Sequence, residues 1–413
     1  MMIKVAVEEI TERIRYTFDF IFLSNGISYR FVLNGDADLY YTRSDKASFD
    51  VADLLYESGI QKYQLNRGTF SEEFCFEING KQDPVATVFY ILSRFEEYLI
   101  SDKDEHGRFE FKNSYQYKFG VLEKTVGDRL ARAIVLSVAP TTHQFDSSVT
   151  VTPTFDIDNV FAYRLKKGAR KIGSQLRDIL KRDKKRIEER LSVKKGERDP
   201  YDTYDKIKEV AHQFPNTRVF WLCGGSSTYD RNVSLYEQEH SDLILGINRL
   251  TTIGIHPSYS SLNNTSTILG EKMLLEKVIN NSVVHSRFHF LRFSIPESYR
   301  ALIAAGIIND YSMGYAGHCG FRAGTTKPFL WFDLHKEQIT KLTVHPFTYM
   351  DGTLNEYMRL SIEEAKVKVN ELHNEVAVCG GNMIVIWHNE TIGDYNHWKG
   401  WAEVLNYNLQ LDE

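Results

Sequence analysis

Two aspartates two positions apart, Asp156 and Asp158 in the segment VTPTFDID (151–158), are the residues whose type and spacing could best do chemistry. A β-prone run of Val and Thr leads to them. On an extended segment, side chains two apart share a face, so a strand through 151–158 delivers both carboxylates at its C-terminal end. One carboxylate of such a pair can hold a metal ion while its neighbour accepts a proton. Alone, D-x-D is also an ordinary loop or helix-cap pattern. Its weight comes from polar residues at the ends of the strands expected downstream: His256, then His289 and Arg292, then His388. Converging imidazoles and carboxylates make a metal site, and two titratable groups on opposite sides of a scissile carbon make general acid/base hydrolysis.

These residues meet only if the strands that carry them run the same way. From residue 199 onward the pattern alternates, with helices expected over 201–213, 241–250, 267–280, 297–305 and 361–378. Between them lie expected strands over 218–223, 252–255, 289–293, 329–333 and 383–387. Strands separated by helices of this length imply right-handed βαβ crossovers and a parallel sheet. About seven such units argue for a barrel, in which strand ends far apart in sequence gather at one rim. The fold class is therefore α/β: a (β/α) barrel of about seven strands over 146–413, preceded by a smaller α/β domain of unknown role over 1–145. In that first region, 29–33 and 74–78 read as strands, Asn34-Gly35 and Asn79-Gly80 as turns, and Pro84 opens a helix running to about residue 100. His106, in a polar turn after it, reads as structural or exposed.

A chain of 413 residues, 42% hydrophobic and 25% charged, has a globular composition. Its net charge of −5 argues against a dedicated nucleic-acid binder, because duplex affinity rests on neutralising phosphates. Aromatic residues, at 13%, fill cores and also form platforms on which sugars stack, so abundance alone does not choose. Cys75, Cys223, Cys319 and Cys379 lack metal-ligand spacing and read as buried free thiols of a reducing compartment. The first residues, MMIKVAVEEITERIR, show no signal-peptide pattern, and no apolar run is long enough to span a bilayer, so the expected location is cytoplasmic. One segment differs in character: 164–198 holds fifteen basic against five acidic residues, with apolar positions three and four apart. It reads as a basic helical insertion over about 161–198, either packed by its apolar stripe or in peripheral contact with an anionic membrane surface.

The order TFDID, GIHPSYSS, RFHFLRFSIPE, INDYSMGYAGHCGFRAGT and IVIWHNE resembles the polysaccharide deacetylase family, the NodB-homology or carbohydrate esterase family 4 group. More closely it resembles a bacterial branch with a poorly characterised N-terminal domain, whose helix and turn match SRFEEYLISDKDEHGRF (93–109). The resemblance implies a distorted barrel and a metal-dependent hydrolase that removes acetyl groups from amino sugars or sugar esters. It makes Asp156 the general base, Asp158 and His256 metal ligands, His388 the general acid, and Arg292 the arginine that holds the base. The chain departs from the family at the second motif, where His256 is followed four positions later by Ser260 rather than a second histidine. Serine is a poor zinc ligand. Three outcomes stay open: His289 or another imidazole completes a zinc or other divalent site, Ser260 and water complete an oxygen-rich one, or no metal binds.

For the substrate, an acetylated sugar that is lipid- or nucleotide-linked in the intracellular reading, the expected contacts are Tyr259, Tyr229, Arg322 and Trp398. Asp230 and Arg231, beside Tyr229, are candidates for the same rim. The glycines of GYAGHCGFRAGT would let backbone amides approach an anionic or acyl group. His345 could face the cleft and His397 could border it; His143, His212 and His373 read as surface residues. The rival reading, from another class, is a catalytically silent carbohydrate-binding or scaffold protein on the same fold. Nothing in the sequence speaks to oligomeric state.

Overall fold

The computed structural model describes residues 2–33, 35–139, 144–166, 172–173, 176, 180, 182–225, 227–230 and 232–411. The first part builds two small sheets. Strands β1 (Met2–Val7), β2 (Ser28–Val32) and β3 (Leu39–Tyr41) run parallel in the order β2-β1-β3, and β4 (Leu65–Phe70), β5 (Glu73–Ile78) and β6 (Lys81–Gln82) form an antiparallel meander. A helix over Pro84–Leu92 follows, started by the Asp83 carboxylate, which accepts from the Ala86 N–H, and by Pro84, whose missing N–H costs nothing in the first turn. The expected helix to residue 100 is broken in the middle. Arg94 takes a left-handed backbone conformation (φ 57°), and a second short helix spans Phe95–Leu99. The break lets a buried guanidinium turn into the structure, where it donates to Glu96, Glu97, Gln116, the Tyr315 hydroxyl and the Arg322 carbonyl.

The large sheet carries the rest. Its strands are β7 (Val149–Ile157), β8 (Arg218–Trp221), β9 (Thr252–Ile255), β10 (His285–Ser286), β11 (Asn309–Asp310), β12 (Phe329–Asp333), β13 (Gln338–Val344), β14 (Tyr349–Met350) and β15 (Gly381–His388). They order as β12-β13-β11-β10-β9-β8-β7-β15-β14, parallel throughout except for the antiparallel edge strand β12. The βαβ alternation read from the sequence is present, with helices Tyr204–Gln213, Gln238–Asn248, Thr265–Ile279, Glu297–Ala304 and Ile362–Cys379 between strands. Among the described residues no strand pairing joins β12 to β14; the large sheet has nine strands, where about seven were expected in a distorted barrel. β7 is buried from Val151 onward, as suits a central strand covered on both faces. Pro153 is accommodated there because β8 begins its pairing one residue later, opposite Thr154.

The expected strand over 289–293 is absent. The strand at that place is β10, which ends at Ser286, and His289–Leu291 forms a tight helical turn in which Phe290 (φ 59°) and Leu291 (φ 52°) are both left-handed. The alternation in HFLRF imitates a strand, but the aromatic and leucine side chains belong to a turn beyond the sheet's end.

The two parts share one apolar core, in which Phe89 meets Phe332 with ring centres 5.3 Å apart. Polar contacts stitch the same boundary: Arg13 to Glu337, Asp128 to the Thr325 hydroxyl, and Glu375 to Thr125, Arg129 and Lys124. The glycine-rich loop serves this contact too. Gly320 (φ 125°) lies so near Leu122 that a Cβ would stand 2.6 Å from its carbonyl oxygen, so this glycine admits the first region's backbone. Burial pushes the Glu375 carboxyl up, but Arg129, the Thr125 N–H and Lys124 outweigh it and hold it at about 2, below its ordinary 4.5. A depressed acid stabilises the fold fully above its unfolded value and stops doing so as pH falls through the folded one. The stability gap between the native protein and Glu375→Gln is therefore expected to narrow as pH drops from about 4.5 towards 2. Urea titrations across that window check it, and a gap independent of pH would refute it.

All four cysteines are free and buried. Among the described residues no helix is long and apolar enough to cross a membrane. Much of the basic insertion lies outside the described residues. Its helix Lys184–Lys194 is held through Glu189, which accepts from the Tyr163 and Tyr395 hydroxyls, while Leu180 and Leu191 stay exposed rather than packed as an apolar stripe.

Candidate active site

The ends of the parallel strands build the site. The register pairs Asp156 of β7 with His388 of β15, so residues distant in sequence stand side by side on adjacent strands. Asp158 follows one step past β7. Its Oδ1 lies 3.2 Å from the His256 Nε2 and its Oδ2 3.3 Å from the His289 Nε2, with the His388 Nε2 at 3.9 Å. Asp158, His256 and His289 present three ligand atoms within 4.8 Å of one another and could hold a metal ion.

The remaining ring nitrogens fix the tautomers. The His256 Nδ1 lies 2.6 Å from the Arg287 carbonyl, which can only accept, so that nitrogen carries the proton and Nε2 keeps its lone pair. The His289 Nδ1 faces the Asp230 carboxylate at 3.2 Å, so that its Nε2 is turned to Asp158. Both Nε2 atoms face the Asp158 carboxylate, whose buried Oδ1 has no hydrogen-bond partner. The surrounding carboxylates favour positive charge at this place, and the His289 imidazole shows it. Burial pulls its pKa down, but Asp158 and Asp230 raise it to about 9, as two anions favour a cation between them.

His388 is tied differently. Its Nδ1 lies 2.9 Å from the Asp351 Oδ1, and its backbone N–H donates to the Asp351 Oδ2. Burial opposes protonation, yet Asp351, Asp158 and Asp156 together raise the imidazole well above its ordinary value. A charged His388 with Nδ1–H held by Asp351 has its Nε2–H left to give. Across from it, Asp156 accepts at Oδ1 from the Arg287 guanidinium at 2.9 Å, which fixes the carboxylate's orientation. Asp156, Asp158, His256, Asp351 and His388 border a cleft of about 310 Å³ that also has Trp398, Tyr395 and Tyr357 in its walls.

Several expectations change here. Arg292 is not the partner of Asp156: its guanidinium donates to the carbonyls of His106 and Tyr259, and Arg287 takes the role because the strand ends at Ser286 rather than at 293. Ser260 does not join the ligand group. Its hydroxyl turns to the Asp230 Oδ2 at 3.1 Å, so it supports the carboxylate that orients His289. Arg322 does not reach this cleft, being buried and paired with Glu97 through 2.9 and 2.6 Å contacts. Tyr259 and Tyr229, with ring centres 4.4 Å apart, form a cluster with His106 and Phe290, of which only Phe290 borders the cleft. His345 is stacked on Tyr311 and bonded to Asn309. His397 and Trp398 do border the cleft; His106 is structural; His212 is exposed and His373 half-buried. Arg231 and His143 lie outside the described residues. Asp351 and Arg108, which also border the cleft, were not read from the sequence. Asp351 had a signal: it follows β14 directly, as Asp158 follows β7.

Residues 3–137 match a family described as "Family of unknown function (DUF7033)". Among solved structures the chain is similar to one described as the "Crystal structure of putative polysaccharide deacetylase from Mycobacterium smegmatis", at 13% identity and a TM-score of 0.41, over 65% of this chain and 85% of that one. A search of the curated proteins finds no significant match.

Proposed function

We propose that this protein is a metal-dependent hydrolase that removes an acetyl group from an amino sugar or an acetylated glycan. The observation that carries the reading is the pairing of Asp156 with His388 beside an Asp158–His256–His289 group whose three ligand atoms lie within 4.8 Å of one another. A divalent ion held by those three residues would supply Lewis acidity, polarising the acyl carbonyl and making its water easier to deprotonate. Zinc suits two imidazoles and a carboxylate.

The chain's own residues account for the protons. Water forms a bond to the acyl carbon while the Asp156 carboxylate takes its proton, and Arg287 keeps that carboxylate in place. The bond from the acyl carbon to the sugar nitrogen then breaks as the His388 Nε2–H is transferred to the leaving nitrogen, with Asp351 holding the ring. Acetate and a free amine result. Aromatic walls at Trp398 and Tyr395 offer faces on which a sugar ring can stack.

Metal analysis of the purified protein, followed by acetate release from N-acetylated amino sugars, tests the reading. The expected result is about one bound divalent ion per chain and acetate release that a chelator abolishes and added zinc restores. A protein that binds no metal and releases no acetate would favour the silent carbohydrate-binding alternative.

A further inference from the structure

His289 sits at the start of a turn that its own sequence does not favour. Phe290 and Leu291 are consecutive residues with side chains, both in the left-handed region that only glycine enters freely. Each such residue is strained and persists only when its surroundings over-determine it. Those surroundings come from the first region of the chain. The Arg108 Nη1 donates to the Phe290 carbonyl at 3.0 Å, and its Nε donates to the Asp104 Oδ2 at 2.6 Å, so the guanidinium cannot swing away. The Asp104 carboxylate also accepts from the backbone N–H groups of His106 and Arg108, which closes the loop on itself. From the other side, the Arg292 Nε donates to the His106 carbonyl at 2.8 Å, and the His106 ring lies against Phe290 at 5.2 Å.

We propose that the loop 104–108 of the N-terminal region positions the metal ligand His289, with Arg108 clamping the left-handed turn that carries it. This rests on the reading of Asp158, His256 and His289 as metal ligands. It gives the first region a definite role, the completion of a site whose usual second-motif histidine is here Ser260. Arg108 is a positioning residue: without the clamp the turn is expected to relax toward ordinary backbone angles, carrying the His289 Nε2 away from Asp158.

Titration of the metal-free native protein with zinc, read by calorimetry, and with cobalt, read by its visible absorption, provides the test. Arg108→Ala is expected to weaken zinc binding about 10–100-fold, the usual effect of losing a group that orients a ligand, and to shift the cobalt spectrum. Arg108→Lys, which can still reach a carbonyl, should recover part of the affinity. Native-like zinc affinity and cobalt spectrum in Arg108→Ala would overturn the proposal. If that variant does not fold, Arg108→Lys decides: affinity weaker than native supports it and native affinity overturns it. A native protein that binds neither metal would sink the site reading itself, which is a separate outcome.

Discussion

Asp156→Asn is expected to reduce acetate release by about 10²–10⁴-fold, the range typical of a lost general base, without releasing the metal. The change keeps shape and volume, and the amide oxygen can still accept from Arg287, so the strand end should hold its geometry. What disappears is basicity: an amide cannot take the proton of the attacking water. The substitution also leaves the fully buried Arg287 without its counter-charge, so some loss of stability should accompany the loss of turnover. The two effects separate by experiment. Activity measured well below the variant's unfolding transition, at saturating zinc, isolates the chemical step; activity within threefold of native there would remove Asp156 from the base position. Metal content should stay native, because the proposed ligands are Asp158, His256 and His289.

How much of this was readable follows from what kind of signal each residue left. Asp156, Asp158, His256 and His388 terminate strands whose Val, Ile and Thr content and buried faces were plain, so both their placement and their mutual approach could be read from strand order. The arginine was misassigned for a physical reason. Strand β10 has only two residues, too few to show alternation, while HFLRF downstream alternates without being a strand. Moving the strand end from 293 to 286 exchanges Arg292 for Arg287. Asp230 could be read as a rim residue and Asp351 as a strand-end one, but their hydrogen bonds to ring nitrogens 59 and 37 positions away leave no local pattern, so their roles were not legible. Arg108 was harder still. Its role depends on two parts of the chain docking, which periodicity within either part does not report, and the first region's strands β1 and β4 also went unread for want of clean alternation.

The docking of those two parts underlies the second large effect. Arg322→Met is expected to lower the unfolding free energy by about 3–5 kcal/mol, the cost of breaking a buried ion pair from one side. Arg322 and Arg94 face Glu96 and Glu97 in a buried, charge-balanced group, with the Arg322 guanidinium lying over Phe293 and Tyr315 at 4.6 and 4.8 Å. Burial pushes the Glu97 carboxyl up, but Arg322 and Arg94 outweigh it and hold it at about 2, so it is charged at neutral pH. Removing one arginine leaves two buried carboxylates with a single cation. Met supplies comparable apolar bulk against the rings, so the loss should come from charge rather than from a cavity. The double variant Arg322→Met/Glu97→Leu then separates the causes, because removing both partners removes the stranded charge. It should be more stable than Arg322→Met alone, by urea or thermal unfolding. If the two substitutions simply add, the pair is not what holds the glycine-rich loop against the helix that carries Glu97. If instead Arg322→Met changes KM for the acetylated sugar while stability stays native, the substrate role that its sequence position suggested would be restored to it.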